Sequence, residues 1–131
     1  MTKVLVAEDD KFLSEAYKTK FANAGYEVKV VFDGQEALKE YEIFSPDVVI
    51  LDLKMPRVDG FWFLQALADK GLAKKVPVIV ASNSGDKSDI ERAMSLGAAD
   101  YVVKSNLSMK GLIEKVEDAL SSRQRDSALA S

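Results

Sequence analysis

Five short aliphatic runs recur along this chain, and each is followed by a longer segment whose apolar residues have helical spacing. The third run, Val-Val-Ile-Leu, lies between Pro46-Asp47 and Asp52, which is typical of a strand buried on both faces. Strands of this kind that alternate with helices predict a parallel sheet covered by helices on both faces. This repeated strand–helix unit limits the fold more than any other feature of the sequence.

The boundaries of the units follow from turn and capping residues. Asp10 or Asp9 can begin the first helix, Asp33 the second, Asp59 the third and Ser108 the fifth. A single domain is expected over residues 1–121, followed by a flexible tail over residues 122–131. The predicted strands cover residues 4–7, 26–32, 46–51, 77–82 and 100–103.

Composition excludes several kinds of chemistry. The 131 residues include no cysteine and no histidine, so thiol nucleophiles, disulfides and imidazole ligands are all absent. A metal site would have oxygen ligands, which favours Mg²⁺, Mn²⁺ or Ca²⁺. The 18 basic and 21 acidic residues give a net charge of −3, which does not favour direct contact with nucleic acid. The four apolar residues that precede Glu8 are too few for a signal peptide or a membrane span, so we expect a cytoplasmic protein without membrane contact.

Polar residues follow four of the predicted strands. Glu8, Asp9 and Asp10 follow the first strand, Asp52 follows the third, Ser82 ends the fourth and Lys104 follows the fifth. Because parallel strands point the same way, these residues should meet at the carboxyl end of the sheet, where open α/β sheets bind ligands. The simplest alternative for Asp52 is that it only caps the next loop, but that alternative leaves the other residues unexplained.

The charges at this end of the sheet predict a cation. Two carboxylates about 4 Å apart repel by ~4 kcal/mol at an effective dielectric constant near 20. Glu8, Asp9 and Asp52 with Lys104 sum to −2, which Mg²⁺ would balance, and Mg²⁺ commonly works with phosphate groups. A cation, a lysine, a serine hydroxyl and a carboxylate nucleophile together indicate phosphoryl transfer.

Four motifs, in order, resemble those of the receiver domains of bacterial two-component response regulators, over about residues 3–121. The resemblance implies a flavodoxin-like, doubly wound fold with strand order 2-1-3-4-5, and is nearest to stand-alone, chemotaxis-type regulators. The motifs are Val-Leu-Val-Ala-Glu8-Asp9-Asp10, Leu51-Asp52-Leu-Lys54-Met-Pro-Arg-Val-Asp-Gly60, Pro77-Val-Ile-Val-Ala-Ser82 and Gly97-Ala-Ala-Asp-Tyr101-Val-Val-Lys104.

The resemblance implies that Asp52 accepts a phosphoryl group from a sensor histidine kinase or a histidine phosphotransfer protein. It also implies Mg²⁺, or Mn²⁺, bound by Asp9, Asp52 and the Lys54 backbone carbonyl, with Glu8 acting through a water. Ser82 and Lys104 would contact the phosphoryl oxygens. Ser82 and Tyr101 would form a switch that alters the surface of the fourth helix, fifth strand and fifth helix for a downstream partner protein. The chain would then be a signalling domain rather than an enzyme acting on other substrates.

Two departures and three alternatives accompany the resemblance. Ser105 stands where the family usually has a proline after the lysine, so we expect a trans Lys104–Ser105 bond. Lys54 and Ser84 occupy positions that tune self-dephosphorylation in the family. The alternatives are a pseudo-receiver that is never phosphorylated, an aspartate-dependent phosphatase and a flavin-binding protein. The phosphatase is disfavoured because Lys54 replaces the second acidic residue, and the flavoprotein because the first loop is acidic.

Overall fold

The computed structural model describes residues 1–130, with side chains over residues 1–122. Strands and helices alternate along these residues, as the sequence predicts. The strands are β1 (Lys3–Ala7), β2 (Glu27–Val31), β3 (Val48–Leu51), β4 (Val78–Ser82) and β5 (Asp100–Val103). The helices are α1 (Lys11–Asn23), α2 (Gly34–Phe44), α3 (Gly60–Asp69), α4 (Lys87–Ser95) and α5 (Met109–Ala130), with a short 3-10 helix at Lys104–Asn106.

All five strands are parallel and lie in the order β2-β1-β3-β4-β5. This order places β1 and β3 side by side, with Ala7 paired to Leu51, so the residues that follow both strands emerge together. The predicted α/β, doubly wound architecture with strand order 2-1-3-4-5 is confirmed.

Two apolar layers hold the helices against the sheet. The layer that packs on α2, α3 and α4 contains Tyr41, Phe63, Leu67 and Ala93. The opposite layer packs on α1 and α5 through residues such as Tyr17, Phe21, Leu112 and Val116. β3 and β4 are buried along their whole length, which explains their uninterrupted aliphatic sequences.

The predicted boundaries differ from the observed ones by one or two residues at β1, β2, β3 and β4, and the end of α5 also differs. Tyr26 lies outside β2 because its N–H donates to Phe21 O at 3.1 Å and its ring packs on Phe21, as part of the turn that ends α1. α5 runs to Ala130, so its backbone remains helical beyond residue 121, where the sequence predicts a tail. The division into a domain over 1–121 and a flexible tail stays a prediction, and residue 131 lies outside the described residues.

Candidate functional site at the carboxyl end of the sheet

Three carboxylates meet beyond the carboxyl ends of β1 and β3. Glu8, Asp9 and Asp52, together called the acidic cluster here, offer oxygens that all lie within 4.8 Å of one another. Glu8 and Asp52 are buried, whereas Asp9 is exposed. The loop that follows β1 brings Glu8 toward the sheet, since its N–H donates to Val31 O at 3.0 Å.

Lys104 supplies a positive charge to this cluster. Its Nζ lies 2.5 Å from Glu8 Oε1 and 3.4 Å from Asp52 Oδ2. Both contacts are shielded from water, because the side chain of Lys104 is only 13% exposed. Lys104 therefore contacts two of the three carboxylates of the acidic cluster, Glu8 and Asp52.

Burial raises the pKa of two groups in and beside the acidic cluster, Glu8 and Tyr17. The pKa of Glu8 is raised from 4.5 to about 6, first because burial disfavours the charged form and then because Asp52 lies nearby, although Lys104 opposes the shift. Burial also raises the pKa of Tyr17, which lies behind the cluster, and the charges of Glu8 and Asp52 add to that effect. A further cation would relieve the repulsion among the carboxylates.

The donor set fits Mg²⁺. Carboxylate and carbonyl oxygens are the ligands that Mg²⁺ prefers, and it binds through few carboxylates while it keeps several waters. The cluster lines an open cleft of about 420 Å³, which leaves room for such waters and for a phosphoryl group. The residues around this cleft are Glu8, Asp9, Asp10, Leu13, Asp52, Lys54, Ser82, Asn83, Lys104 and Ser105.

Asp10 stands apart from the cluster, although it adjoins Asp9 in sequence. Its side chain accepts the N–H of Leu13 at 3.0 Å and caps α1, which confirms one of the two predicted caps. Its own N–H donates to Glu8 Oε2 at 3.1 Å and so helps to fix the Glu8 carboxylate.

The loop after β3 places Lys54 beside Asp52. The N–H of Lys54 donates to Asp52 Oδ1 at 3.4 Å, which is a long hydrogen bond. Gly60 allows this loop to close on itself: its N–H donates to Leu53 O at 3.0 Å, and a Cβ there would lie 2.3 Å from Asp52 O. Only glycine lets α3 begin so close to the backbone of Asp52.

Ser84 joins the two predicted switch residues, Ser82 and Tyr101. Its N–H donates to Ser82 Oγ at 3.1 Å, and its carbonyl accepts the hydroxyl of Tyr101 at 2.8 Å. The Ser84 hydroxyl donates to Asp89 Oδ2 in the first turn of α4 at 2.7 Å. The sequence places Ser84 beside the site, but these contacts depend on the tertiary fold and have no local sequence signal.

Six of the seven predicted site residues therefore lie at the carboxyl end of the sheet: Glu8, Asp9, Asp52, Lys54, Ser82 and Lys104. The seventh, Tyr101, is the second residue of β5, and its hydroxyl donates to Ser84 O in the loop that follows β4. Within residues 1–130 every peptide bond is trans, including Lys104–Ser105, as the absence of proline predicts.

Comparison with known proteins decides the family, because residues 4–117 match the response regulator receiver domain. The chain belongs to this family. The receiver domain is 31% identical to the chemotaxis protein CheY of Treponema pallidum, over 90% of this chain and 82% of that protein. It is 36% identical to a probable transcriptional regulator, ycf27, of Cyanophora paradoxa, over 78% of this chain but only 41% of that protein.

Solved structures agree with this assignment. The Francisella response regulator 1452 receiver domain is 34% identical, with a TM-score of 0.85 over 93% of this chain and 98% of that one. The chain spans about two fifths of the length of the ycf27 regulators that it matches. Within residues 1–130, no helix of the receiver domain has both the length and the apolarity needed to cross a membrane.

Proposed function

We propose that the chain accepts a phosphoryl group on Asp52 from the phosphohistidine of a sensor kinase or a phosphotransfer protein, with Mg²⁺ bound at the acidic cluster. The observation that carries this proposal is the convergence of Asp52, Asp9, Glu8 and Lys104 in one open cleft. No imidazole is present in the chain, which suits a reaction in which the histidine belongs to the partner.

In the proposed reaction, an oxygen of Asp52 attacks phosphorus and forms a P–O bond while the P–N bond to the partner's imidazole breaks. The imidazole leaves with the electron pair of the broken bond and takes up a proton from water. Asp9, Asp52 and the Lys54 carbonyl would hold Mg²⁺, and Glu8 would act through a water. When bound, Mg²⁺ neutralises charge on the transferring oxygens.

Lys104 and Ser82 are proposed to contact the phosphoryl oxygens. The Nζ of Lys104 already lies 3.4 Å from Asp52, and it would exchange part of its contact with Glu8 for a phosphoryl oxygen. Ser82 is buried at the end of β4, and its hydroxyl hydrogen is free to turn toward a new acceptor. These two side chains would stabilise the negative charge added when Asp52 is modified.

The signal is proposed to leave the site through Ser84. Phosphorylation adds about one negative charge and new acceptor oxygens at Asp52. If Ser82 moves toward them, Ser84 follows, and with it the hydrogen bonds to Tyr101 and Asp89. The surface of α4, β5 and α5 would then change for a downstream protein, as a shift between two populated states.

Mass spectrometry after incubation with a small acyl phosphate and Mg²⁺ tests the acceptor directly. We expect one added phosphoryl group on the parent chain and none on Asp52→Asn. Asp118→Asn, which alters a carboxylate at the opposite end of the sheet, is the matched control and should label as the parent does. Equal labelling of Asp52→Asn would disprove the assignment, and no labelling of the parent with a cognate kinase would favour the pseudo-receiver.

A further inference from the structure

The loop that follows Asp52 is tied at its far side to the turn between β2 and α2. We call residues 53–59 the acceptor loop. Arg57 donates from Nε to Asp33 Oδ2 at 3.0 Å, and its Nη2 lies 2.9 Å from the same oxygen. The N–H of Gly34 donates to Val58 O at 2.7 Å. The sequence predicts Asp33 only as a helix cap, because its contact with Arg57 is 24 residues away.

The packing between this turn and the acceptor loop leaves no spare room. A Cβ on Gly34 would lie 2.5 Å from Asp59 O and 3.0 Å from a methyl group of Val58. On the other side of the loop, Gly60 lies against the backbone of Asp52. The acceptor loop is thus held between the start of α2 and the residue proposed to be phosphorylated.

Arg57 adopts a backbone conformation that is unfavourable for its type. Its φ is +63°, in the left-handed region where glycine or asparagine is usual. Strain of this kind persists where surrounding contacts hold the residue, and it often marks a functional position. Here a tight turn encloses Arg57, because the N–H of Val58 donates to Pro56 O at 2.6 Å. The Arg57 side chain, although 67% exposed, adds its two contacts with Asp33 and a longer ion pair of 3.8 Å with Glu36.

Asp33 is suited to act as the fixed partner. It is buried, and its second oxygen, Oδ1, accepts the N–H of Glu36 at 2.9 Å and so anchors the carboxylate to α2. The pKa of Asp33 is lowered, first by that N–H and then by Arg57, so the carboxylate is charged at neutral pH. The charged Asp33 carboxylate, fixed to the start of α2, therefore gives the Arg57 guanidinium a defined place to bind.

We propose that Asp33 and Arg57 are positioning residues that hold the acceptor loop, and with it the Lys54 carbonyl, in the geometry that Mg²⁺ binding requires. This inference rests on the proposed function, in which Lys54 is a ligand through its backbone. Mg²⁺ demands near-ideal octahedral geometry, so a small displacement of one ligand weakens binding. Partners outside the ligand set commonly orient ligands in this way.

Arg57→Gly is the decisive variant. Glycine relieves the left-handed strain while it removes both contacts to Asp33, so we expect the urea midpoint to stay close to that of the parent. We expect the Kd for Mg²⁺, measured by calorimetry without any phosphodonor, to rise about tenfold, the low end for loss of an outer partner. Loss of the positive charge of Arg57 would, by electrostatics alone, strengthen Mg²⁺ binding. Weaker binding in Arg57→Gly would therefore come from the changed position of the acceptor loop.

Three companion variants sharpen the test. Lys115→Ala breaks the half-exposed 3.0 Å pair with Asp100 and should leave the Kd for Mg²⁺ unchanged. Asp33→Asn keeps a helix cap but loses the charge, and it should weaken Mg²⁺ binding as Arg57→Gly does. The double variant Asp33→Asn/Arg57→Gly should be no weaker than either single variant, because both remove the same contact. Hydrogen exchange of the Gly34 amide should be faster than in the parent in the three variants that change Asp33, Arg57 or both.

An unchanged Kd in Arg57→Gly would overturn the inference, as would a Kd that weakens only in step with the urea midpoint. Failure of this inference can be distinguished from failure of the proposed function. A parent chain that binds Mg²⁺ but takes up no phosphoryl group refutes the function and leaves this inference standing. A parent that is labelled on Asp52, with the same Kd in Arg57→Gly, refutes this inference alone.

Discussion

The carboxyl and amino ends of the sheet each hold a cleft and a lysine paired with a carboxylate. At the carboxyl end the cleft measures about 420 Å³, and Lys104 and Glu8 are 13% and 2% exposed. At the amino end the cleft is larger, about 800 Å³, and Lys115 and Asp100 are 43% and 40% exposed. Burial of unbalanced charge, rather than the size of the cleft, therefore distinguishes the end of the sheet where the predicted site residues meet.

The difference follows from how each pair is solvated. The half-exposed pair of Lys115 and Asp100 keeps much of its water, so its contribution to stability is small. The buried pair of Lys104 and Glu8 has lost water from both partners and has Asp52 as a third charge. Removal of one partner should therefore lower the free energy of unfolding strongly. The following predictions test this contrast, from the largest expected effect to the smallest.

Lys104→Ala should give the largest loss of stability. It leaves Glu8 buried without its cation beside Asp52, and breaking such a pair costs about 3 kcal/mol. Lys115→Ala, the matched change at the amino end, should cost less than about 1 kcal/mol. Urea denaturation of both variants at pH 7 without Mg²⁺ measures the difference, and equal losses would remove the contrast between the two ends.

The second prediction concerns the pH dependence of the metal-free protein. Glu8 has a folded pKa of about 6, above its ordinary value of 4.5, so the folded state holds this proton more tightly than the unfolded state does. The stability that Glu8 contributes is therefore full below pH 4.5 and is lost as pH rises through about 6. At about 1.4 kcal/mol per pH unit, the loss is about 2 kcal/mol.

Comparison with Glu8→Gln isolates this pH dependence, since the variant lacks the titrating group. We expect the stability of the parent relative to Glu8→Gln to fall between pH 4.5 and 6.5 in the presence of EDTA. Mg²⁺ should flatten the difference, because a cation at the cluster favours the ionised carboxylate. Parallel stability curves for the two proteins in EDTA would show that burial does not raise the pKa of Glu8.

These effects show which parts of the site the sequence could predict. The strands and the polar residues after them follow from the apolar runs, and the strand order follows from the resemblance to receiver domains, so the positions of Asp52, Asp9 and Lys104 were predictable. The exposures were not: adjacent residues Glu8 and Asp9 have the same chemistry, yet one is buried and the other exposed. That distinction depends on the Val31 carbonyl and on Lys104, which are distant in sequence.

The contacts of Asp33 and Ser84 could not be predicted either, because they join residues that are distant in sequence. Asp33 and Ser84 have ordinary local explanations as a helix cap and a loop residue, and both are also contacted by distant residues. A short motif specifies which residue follows a strand, but it does not specify which distant side chain binds it. Arg57 and Tyr101 show this, since each reaches across to another loop.

The third prediction compares glycines at the two ends of the sheet. A Cβ on Gly60 would lie 2.3 Å from Asp52 O, and one on Gly97 would lie 2.9 Å from Ala73 Cβ at a φ of +108°. Gly60→Ala and Gly97→Ala should each cost about 1–2 kcal/mol, through overpacking and backbone strain respectively.

Only Gly60→Ala should also weaken Mg²⁺ binding, because relief of its clash moves the backbone of Asp52. Calorimetric titration of Mg²⁺ into both variants, alongside urea denaturation, separates the two effects. Equal Mg²⁺ affinities for the two variants would mean that the backbone of Asp52 tolerates the shift.

The smallest effect is expected at the contact between α3 and α4. The guanidinium of Arg92 lies 4.0 Å from the ring centroid of Phe61, whereas at the other end Lys3 Nζ lies 5.3 Å from the ring of Phe44. Exposed cation–π pairs contribute about 0.5–1 kcal/mol. A double-mutant cycle of Arg92→Ala with Phe61→Leu should give a coupling energy in that range, since leucine keeps the apolar contact and loses the ring.

Because α4 belongs to the proposed signalling surface, the same cycle repeated after phosphorylation should give a different coupling energy. An identical value in both states would mean that the Arg92–Phe61 contact does not change when Asp52 is modified.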